Sequence, residues 1–278
     1  MRMQIGARLL EGAGPFLLGV VNATPDSFSD GGRFLDPDAA AVHGARLLAE
    51  GADLLDVGGE STRPGAPPVP AEEEVRRVVP VIERLRERGL GPISVDTRKP
   101  EVARAALRAG ADLVNDVGGL SAPGMAELVA EAGVPAVLMH ARGTPAEMQS
   151  RAAYRDVVAE VAAELEAALA RAVRAGVPEQ RIILDPGIGF AKTAAQSVAL
   201  LAALPRLRRL GRPLLVGPSR KSFIGAISGA PVGERLPGTL AAVAACVLAG
   251  VEILRVHDVA AARQAAAVAA AIRDAGAP

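Results

Sequence analysis

The chain has 278 residues and a mass of 28.3 kDa, with 31 basic and 31 acidic residues and therefore no formal net charge. This balance, with a pI near 6.9, argues against a nucleic-acid-binding surface and against a charged membrane-surface patch. Half of the residues are hydrophobic, which is enough for one large core, and an α/β barrel of about 250 residues is commonly a single domain.

Cys246 is the sole cysteine, so no disulfide can form within the chain. It lies in the apolar stretch 240–251, where a buried structural thiol is expected rather than a nucleophile. That stretch is too short to span a bilayer, and the N-terminus lacks a basic region followed by a cleavable apolar run. The expected location is the cytoplasm, with no membrane and no nucleic-acid partner.

Eight short apolar runs bounded by turn residues predict strands. They cover residues 16–21, 53–57, 93–95, 112–114, 136–139, 181–184, 213–216 and 252–256. The stretches between them predict helices, among them 71–88, 100–109, 154–175 and 259–273. Glycines that would end successive helices stand shortly before the next strand. These are Gly51, Gly89, Gly110, Gly133, Gly176, Gly211 and Gly250.

The predicted fold class is α/β. Runs of Val, Ile and Leu are typical of strands in a parallel sheet that is covered on both faces. Eight repeats of strand and helix without a change in composition favour a closed (β/α)8 barrel, the TIM barrel, over an open doubly wound sheet. We expect residues 1–14 to form an N-terminal hairpin that closes the bottom of the barrel, and residues 1–278 to form one domain.

Rare polar residues follow several predicted strands, which indicates a shared site. Only two asparagines and three lysines occur, and the other 28 basic residues (31 less 3) are arginine, so a compact ammonium group is kept at few positions. Loops that follow the strands of a barrel open on one face, where ligands bind. Chance placement in polar loops is the alternative. The five residues are Asn22, Asn115, Lys99, Lys192 and Lys221.

Asp96, Asn115 and Asp185 end the third, fourth and sixth predicted strands. A carboxylate accepts paired N–H groups and an amide both donates and accepts, so together they suit a flat heterocycle with amino and oxo edges. For each residue taken alone, a helix N-cap is the competing interpretation.

A second group is suited to an anion. Arg255 and His257 end the eighth predicted strand, Arg63 lies in the loop after the second, and three further residues follow the seventh. Barrels commonly bind phosphate after these last two strands, so a phosphate or diphosphate is expected. A solvated basic rim paired with Asp258, or a structural His257, is the alternative. The three further residues are Ser219, Arg220 and Lys221.

The loops resemble those of the dihydropteroate synthase family, which are pterin-binding barrels. The resemblance runs from Asn22 to His257 and rests on the segments 22–32, 56–65, 185–190, 219–225 and 255–258. It implies that 6-hydroxymethyl-7,8-dihydropterin diphosphate reacts with para-aminobenzoate to give 7,8-dihydropteroate and pyrophosphate. It also implies Mg²⁺ and a homodimer formed through the later helices.

The resemblance further implies a role for each site residue. Asp96, Asn115, Asp185 and Lys221 would hold the pterin, with Met139 against its ring. Asn22, Arg63, Arg255 and His257 would hold the diphosphate, with Asn22 near the magnesium. Thr62, Pro64, Phe190 and Ser219 would form the para-aminobenzoate pocket. Asp96, Lys221, Arg255 and His257 are the expected catalytic residues.

Chemistry supports these roles, because the arylamine is a weak nucleophile. Departure of a neutralised pyrophosphate would leave a resonance-stabilised pterin methylene cation, and Asp96 would offset its charge. The long loops at 22–32 and 58–68, with Phe28 in the first, would close and exclude water.

One departure from the family is the loop after the fifth strand, where Ala141 and Arg142 follow His140 in place of the expected Met-Gln-Gly. Three other functions stay open: a pterin-binding methyltransferase domain, a Schiff-base aldolase with Lys221 as nucleophile, and a non-catalytic pterin carrier.

Overall fold

Ten strands occur in the part of the chain that the computed structural model describes, residues 1–12, 14–24, 36–62, 65–144 and 146–276. An antiparallel pair comes first, and eight parallel strands follow. The pair is β1 (Arg2–Ile5) and β2 (Arg8–Glu11). The parallel strands are β3 (Phe16–Asn22), β4 (Leu54–Gly58), β5 (Ile93–Asp96), β6 (Leu113–Asp116), β7 (Ala136–Met139), β8 (Ile182–Asp185), β9 (Leu215–Val216) and β10 (Ile253–Val256).

The eight parallel strands form a barrel. Their order in the sheet is β8-β7-β6-β5-β4-β3-β10-β9, and a parallel bridge between Leu184 and Leu214 joins β8 to the chain just before β9. The TIM barrel expected from the sequence is therefore confirmed, and each of the eight predicted strands has its counterpart. We call the carboxyl ends of the parallel strands the upper end of the barrel and their amino ends the lower end.

Helices alternate with the strands and cover the outside of the barrel. They are α1 (Pro37–Ala49), α2 (Ala71–Glu87), α3 (Pro100–Ala109), α4 (Met125–Ala132), α5 (Val157–Arg174), α6 (Ala194–Ala202), α7 (Leu204–Leu207), α8 (Ser222–Ser228), α9 (Leu236–Leu248) and α10 (Val259–Ala275). The four helices predicted by range agree with the structure to within three residues at each end. All seven glycines predicted to end helices have positive φ values, between 64° and 111°, a conformation that glycine adopts at little cost.

The hairpin of β1 and β2 closes the lower end of the barrel, as expected. Met3, Ile5 and Leu10 are buried in one apolar cluster with inward-facing residues of the barrel strands. Those residues are Leu18, Leu54, Leu113, Val137, Ile183, Leu215 and Ile253.

Three acidic residues reinforce the lower end, and each stands at or just before a strand. Oδ2 of Asp53 accepts the N–H of Leu17 at 2.9 Å, and Oδ2 of Asp112 accepts the N–H of Ile93 at 2.8 Å. Oε2 of Glu252 likewise accepts the N–H of Leu214, just before β9, at 2.9 Å. Each carboxylate also pairs with arginine. Asp53 pairs with Arg8 and Arg263, Asp112 with Arg86, and Glu252 with Arg208. Each of these carboxylates is thus both paired with a positive charge and hydrogen-bonded to the backbone.

No helix within the described ranges combines the length and the apolar character needed to cross a membrane.

Candidate active site at the upper end of the barrel

A polar layer lies one step above the apolar layer of the barrel interior. Side chains alternate between the two faces of a strand, so the residue two positions after an inward-facing one also points inward. Leu54 is inward-facing, and Asp56 follows it by two residues. The same step in the other strands leads from Leu113, Val137, Ile183, Leu215 and Ile253 to Asn115, Met139, Asp185, Gly217 and Arg255.

Arg255 is the centre of this layer. Its Nε donates to Oδ2 of Asp56 at 2.6 Å, and its Nη2 donates to Oδ2 of Asp96 at 2.8 Å. Nδ2 of Asn115 donates to the same oxygen of Asp56 at 3.1 Å. Residues from four strands, up to 199 positions apart in the chain, therefore form one buried network. It contains three predicted site residues, Asp96, Asn115 and Arg255.

Two carboxyl oxygens of the network have no hydrogen-bond partner within the described part of the chain. They are Oδ1 of Asp56 and Oδ1 of Asp96, and both are buried. Burial raises the pKa of Asp96 to about 7; the Asp56 carboxylate adds to this rise, whereas Arg255 opposes it. Buried polar atoms are nearly always hydrogen-bonded in folded proteins, so these oxygens are suited to accept N–H groups from a ligand.

Asp185 and Lys221 complete the inner part of the site. Oδ1 of Asp185 accepts the N–H of Gly187 at 2.7 Å, and burial raises the pKa of this carboxyl group to about 6. Lys221 stands at the N-cap of α8, with its Nζ 4.1 Å from the centre of the Phe190 ring. Burial and the nearby Arg255 lower the pKa of Lys221 to about 8. Phe190 packs with Met139 in a small apolar cluster.

Ser219 and His257 form a pair next to this group. Oγ of Ser219 lies 3.0 Å from Nδ1 of His257, and it also accepts the backbone N–H of His257 at 3.3 Å. Burial and the charge of Arg255 lower the pKa of His257 to about 3. Its imidazole is therefore neutral near pH 7 and offers a hydrogen bond rather than a positive charge.

Arg220 differs from its neighbours, because it points to the rim. Its Nε donates to Oδ2 of Asp258 at 2.9 Å, in an exposed pair. The alternative of a basic rim paired with Asp258 therefore holds for Arg220, but it does not hold for Lys221 or Arg255.

The remaining predicted residues divide into two sets. Asn22 is the last residue of β3 and lies opposite Gly58, which in turn lies opposite Asp96; Thr62 is half-buried in the following loop. Arg63, Pro64 and Phe28 lie outside the described residues, as does most of the loop at 22–32.

Two of the five rare polar residues have protein partners outside the network around Arg255. Lys99 forms ion pairs with Glu60 and Glu74, and Nζ of Lys192 contacts Nδ1 of His140 at 2.9 Å. The shared site at the upper end thus receives Asn22, Asn115 and Lys221, while Lys99 ties the second loop to α2.

The unusual loop after β7 is tied to α5. Nη2 of Arg142 lies 2.9 Å from Oε2 of Glu160 and also pairs with Glu164. Arg142 is therefore neutralised by α5, while Ala141 packs against the apolar cluster around Phe190.

Sequence reasoning missed Asp56 as a site residue. It lies at the bottom of the network, with both Arg255 and Asn115 on one of its oxygens. The available signal was the alternation along the second predicted strand, because a fully buried carboxylate two residues after an inward-facing leucine requires a partner.

Comparison with known proteins agrees with this geometry. The profile of the family described as pterin binding enzyme matches residues 18–257. A dihydropteroate synthase from a Synechocystis strain is 47% identical over 274 residues, which cover 97% of this chain and 94% of the relative. The structure of Xanthomonas albilineans dihydropteroate synthase with 4-aminobenzoic acid superposes with a TM-score of 0.92 at 49% identity, covering 100% and 99% of the two chains. The same enzyme in complex with 7,8-dihydropteroate gives 0.90 at 46% identity, covering 100% of each chain.

A closed barrel with a buried charge network at the carboxyl ends of its strands belongs to the class of barrel enzymes that bind small molecules there. Within that class, the chain belongs to the pterin binding enzymes, in the dihydropteroate synthase family.

Proposed function

We propose that the chain joins 6-hydroxymethyl-7,8-dihydropterin diphosphate to para-aminobenzoate and releases 7,8-dihydropteroate and pyrophosphate. The observation that carries the proposal is the position of Arg255, which binds Asp56 and Asp96 and leaves one oxygen of each buried without a partner. Hydrogen-bond acceptors for a heterocycle and a cation for a leaving group thereby belong to one hydrogen-bonded network at the upper end of the barrel.

The pterin would occupy the inner part of the site. Asp96 and Asp185 accept N–H groups of its amino edge and ring nitrogens, while Asn115 bonds an oxo or imino group. Lys221 donates to an acceptor on the same ring system. Because Asp96 and Asp185 are deeply buried, unmatched hydrogen bonds there would be costly, which gives selectivity for this edge pattern.

The diphosphate would lie towards the strand ends, where Arg255 and His257 face it. The reacting methylene carbon becomes electrophilic as the pyrophosphate departs, so stabilising the charge of the leaving group lowers the barrier. Arg255 supplies a fixed positive charge, and the neutral His257 donates a hydrogen bond. Asp96 offsets positive charge that develops on the pterin. Arg63 belongs to this group by resemblance alone.

The arylamine would bind beside Phe190, Ser219 and Thr62, and Pro64 belongs to this pocket by resemblance alone. Its carboxylate meets the Ser219 hydroxyl, and its amine faces the methylene carbon of the pterin. Water would otherwise capture the cation, so both substrates have to be sheltered from it. The loops predicted to do this, at 22–32 and 58–68, lie partly outside the described residues.

Magnesium would act at this site as a partner of the substrate. The described residues contain no group of three His, Cys, Asp or Glu side chains that could hold a metal, and Asn22 offers a single neutral oxygen at the end of β3. Mg²⁺ keeps several waters and is commonly held by substrate phosphates with one or two side chains. We propose that Asn22 contacts Mg²⁺ bound to the diphosphate, where the ion would neutralise phosphate charge.

The experiment that tests the reaction mixes both substrates with the enzyme and Mg²⁺ and follows two products. Pyrophosphate and 7,8-dihydropteroate should appear in equal amounts. Tight binding of the pterin diphosphate without release of pyrophosphate would indicate a carrier. Methyl transfer from a methylated pterin would indicate a methyltransferase, and trapping of Lys221 by borohydride with a carbonyl substrate would indicate an aldolase.

A homodimer through α9 and α10 is part of the proposal. These two helices leave an apolar surface that includes Leu248, Val268 and Ile272, whose exposed fractions are 49%, 58% and 59%. A patch of this kind is typical of an interface between protein chains. The variant Val268→Asp should run as a monomer in size-exclusion chromatography with light scattering. The exposed Val42→Asp is the control and should not change the mass.

The cytoplasm is the compartment that we propose for this reaction. Cys246 is a fully buried free thiol, and it would stay reduced there. Fractionation of cells that express the tagged chain would test this.

A further inference from the structure

Lys192 is a buried lysine whose Nζ lies within hydrogen-bond distance of three uncharged acceptor atoms. It follows the turn at 187–191, and 3% of its surface is exposed. Its Nζ lies 2.8 Å from the carbonyl oxygen of Phe190, 2.9 Å from Nδ1 of His140 and 3.4 Å from the carbonyl oxygen of His140. The side-chain amine therefore joins the turn after β8 to the residue that follows β7.

The turn that Lys192 holds is tight. Gly187, Gly189 and Ala191 have φ values of 66°, 82° and 48°, and the last of these is unfavourable for a residue with a side chain. A Cβ atom at Gly187 would overlap the carbonyl oxygen of His140, so the turn lies directly on that residue. A backbone in this conformation needs support from its surroundings.

His140 provides that support in a defined tautomer. Its Nδ1 accepts from Lys192, so its proton is on Nε2, which lies 2.9 Å from Oε2 of Glu164 on α5. Burial and Lys192 lower the pKa of His140 to about 4, which keeps the ring neutral. A continuous chain of hydrogen bonds thus runs from α5 through His140 and Lys192 to the backbone of Phe190.

This chain of hydrogen bonds fixes the position of the Phe190 side chain. That side chain belongs to the same apolar cluster as Met139 and Met148, and the centre of its ring lies 4.1 Å from Nζ of Lys221. At the other end of the turn, the N–H of Gly187 is fixed by Asp185. A shift of the turn would therefore move the ring relative to Lys221 while leaving Asp185 on its strand.

We propose that Lys192 is a positioning residue for the second substrate: it holds the backbone of Phe190 so that the ring stays beside Lys221 and forms one wall of the arylamine pocket. This inference rests on the proposed function, in which Phe190 contacts para-aminobenzoate. It assigns no contact between Lys192 and either substrate.

The test separates binding of the two substrates. In Lys192→Met, we expect KM for para-aminobenzoate to rise about tenfold, the effect of losing one or two hydrogen bonds, while Kd for the pterin diphosphate, measured by calorimetry, stays within about twofold. The matched control is Gln196→Ala. Gln196 lies four residues later, caps α6 and bonds to the carbonyl of Ala152 rather than to the turn, so this variant should change neither constant by more than about twofold.

A double-mutant cycle then asks whether Lys192 acts through Phe190. In the Phe190→Ala background, Lys192→Met should add no further increase in KM for the arylamine. Independent penalties in the two variants, or equal weakening of both substrates, would overturn the proposal. Lys192→Gln, which keeps an N–H donor, should have an intermediate effect.

If Lys192→Met and Lys192→Gln both fail to fold, the lysine serves stability and the proposal is wrong. Failure of the proposed function has a different signature, because the unmodified enzyme would then form no 7,8-dihydropteroate from the two substrates.

Discussion

At the lower end of the barrel, three carboxylates each accept a backbone N–H and pair with at least one arginine; Asp53 and Glu252 are buried, and Asp112 is partly exposed. At the upper end, Asp56 and Asp96 share the single Arg255, and one oxygen of each has no partner among the described residues. The same residue types therefore serve stability at one end and are held ready for a ligand at the other. The difference lies in how completely the hydrogen-bonding capacity of each carboxylate is used by the protein.

This contrast indicates where the fold accepts an energetic cost. A buried, incompletely paired charge destabilises the folded state, and shifted pKa values cluster at functional sites. Asp96 has both features: it is buried with one oxygen unpaired among the described residues, and its pKa is raised to about 7. The upper end is thus organised for binding at the expense of stability, and the variants below compare the two ends directly.

The largest expected effect is that of Asp96→Asn on activity. The amide can still accept from Arg255, but its N–H group would then face the N–H groups of the pterin. We expect kcat/KM to fall about 10²–10³-fold, the size seen when one group that stabilises a transition state is lost. Steady-state kinetics with both substrates measures this.

Stability should respond in the opposite sense. Since Asp96→Asn removes a buried, incompletely paired charge, its free energy of unfolding in urea should be equal to or greater than that of the unmodified protein. A large loss of stability together with normal activity would show that Asp96 belongs to the structural group.

The pH dependence of stability gives a second test of Asp96. Its pKa in the folded protein, about 7, lies above the ordinary value of 3.8, so between these values the folded protein binds more protons than the unfolded chain. The free energy of unfolding therefore decreases as pH rises through this window. Asp96→Asn lacks this contribution, so its advantage over the unmodified protein should grow from about pH 4 to pH 7.

Other buried groups do not confuse this comparison. The pKa values of Asp185 and Asp116 are both raised to about 6 by burial, but both groups are present in the two proteins and their contributions largely cancel in the difference. Parallel stability curves across the window would show that the pKa of Asp96 is close to its ordinary value.

The matched variant at the lower end is Asp112→Asn. Oδ2 of Asp112 accepts from the N–H of Ile93 and pairs with Arg86. Hydrogen bonds to charged groups contribute about 1.5–3 kcal/mol each, so we expect a loss of about that size in urea denaturation. Because Asp112 is at the opposite end from the site, kcat and both KM values should stay within about twofold. A loss of activity without a loss of stability would contradict the division between the two ends.

The parts of the fold and of the site that could be predicted from the sequence are those that local patterns indicate. Strands such as residues 93–95 and 136–139 were predictable because both of their faces are buried and they read as short apolar runs. Helix ends were predictable because Gly110 and Gly133 adopt positive φ values. Asn115 and Arg255 were found because both are polar residues at the end of an apolar run.

The pairing of Asp56 with Arg255 could not be predicted in the same way. These residues are 199 positions apart. Their contact depends on the order and register of the strands in the barrel, which no local pattern gives. The neutral state of His257 was also hidden, since it results from burial and from the charge of Arg255 rather than from neighbours in sequence. Lys99 and Lys192 were grouped with the site because their partners, Glu60 and Glu74 for the first and His140 for the second, are distant in sequence and leave no local signal.

The smallest expected effect belongs to Arg208→Met at the lower end. Nη2 of Arg208 pairs with Oε1 of Glu252 at 3.0 Å, but its side chain is 44% exposed. Exposed ion pairs contribute about 0–1 kcal/mol, and methionine retains an apolar stem, so the loss of stability should be below about 1 kcal/mol. Urea denaturation of Arg208→Met beside Glu252→Ala measures the difference.

Glu252→Ala should cost more, about 1–3 kcal/mol, because Oε2 of Glu252 accepts the buried N–H of Leu214 at 2.9 Å. Leu214 also forms the bridge to Leu184 that closes the barrel, so this N–H cannot turn towards water without opening the sheet. If Arg208→Met were as damaging as Glu252→Ala, the ion pair rather than the backbone hydrogen bond would stabilise this end. The lower end would then resemble the upper end, where an arginine holds the carboxylates together.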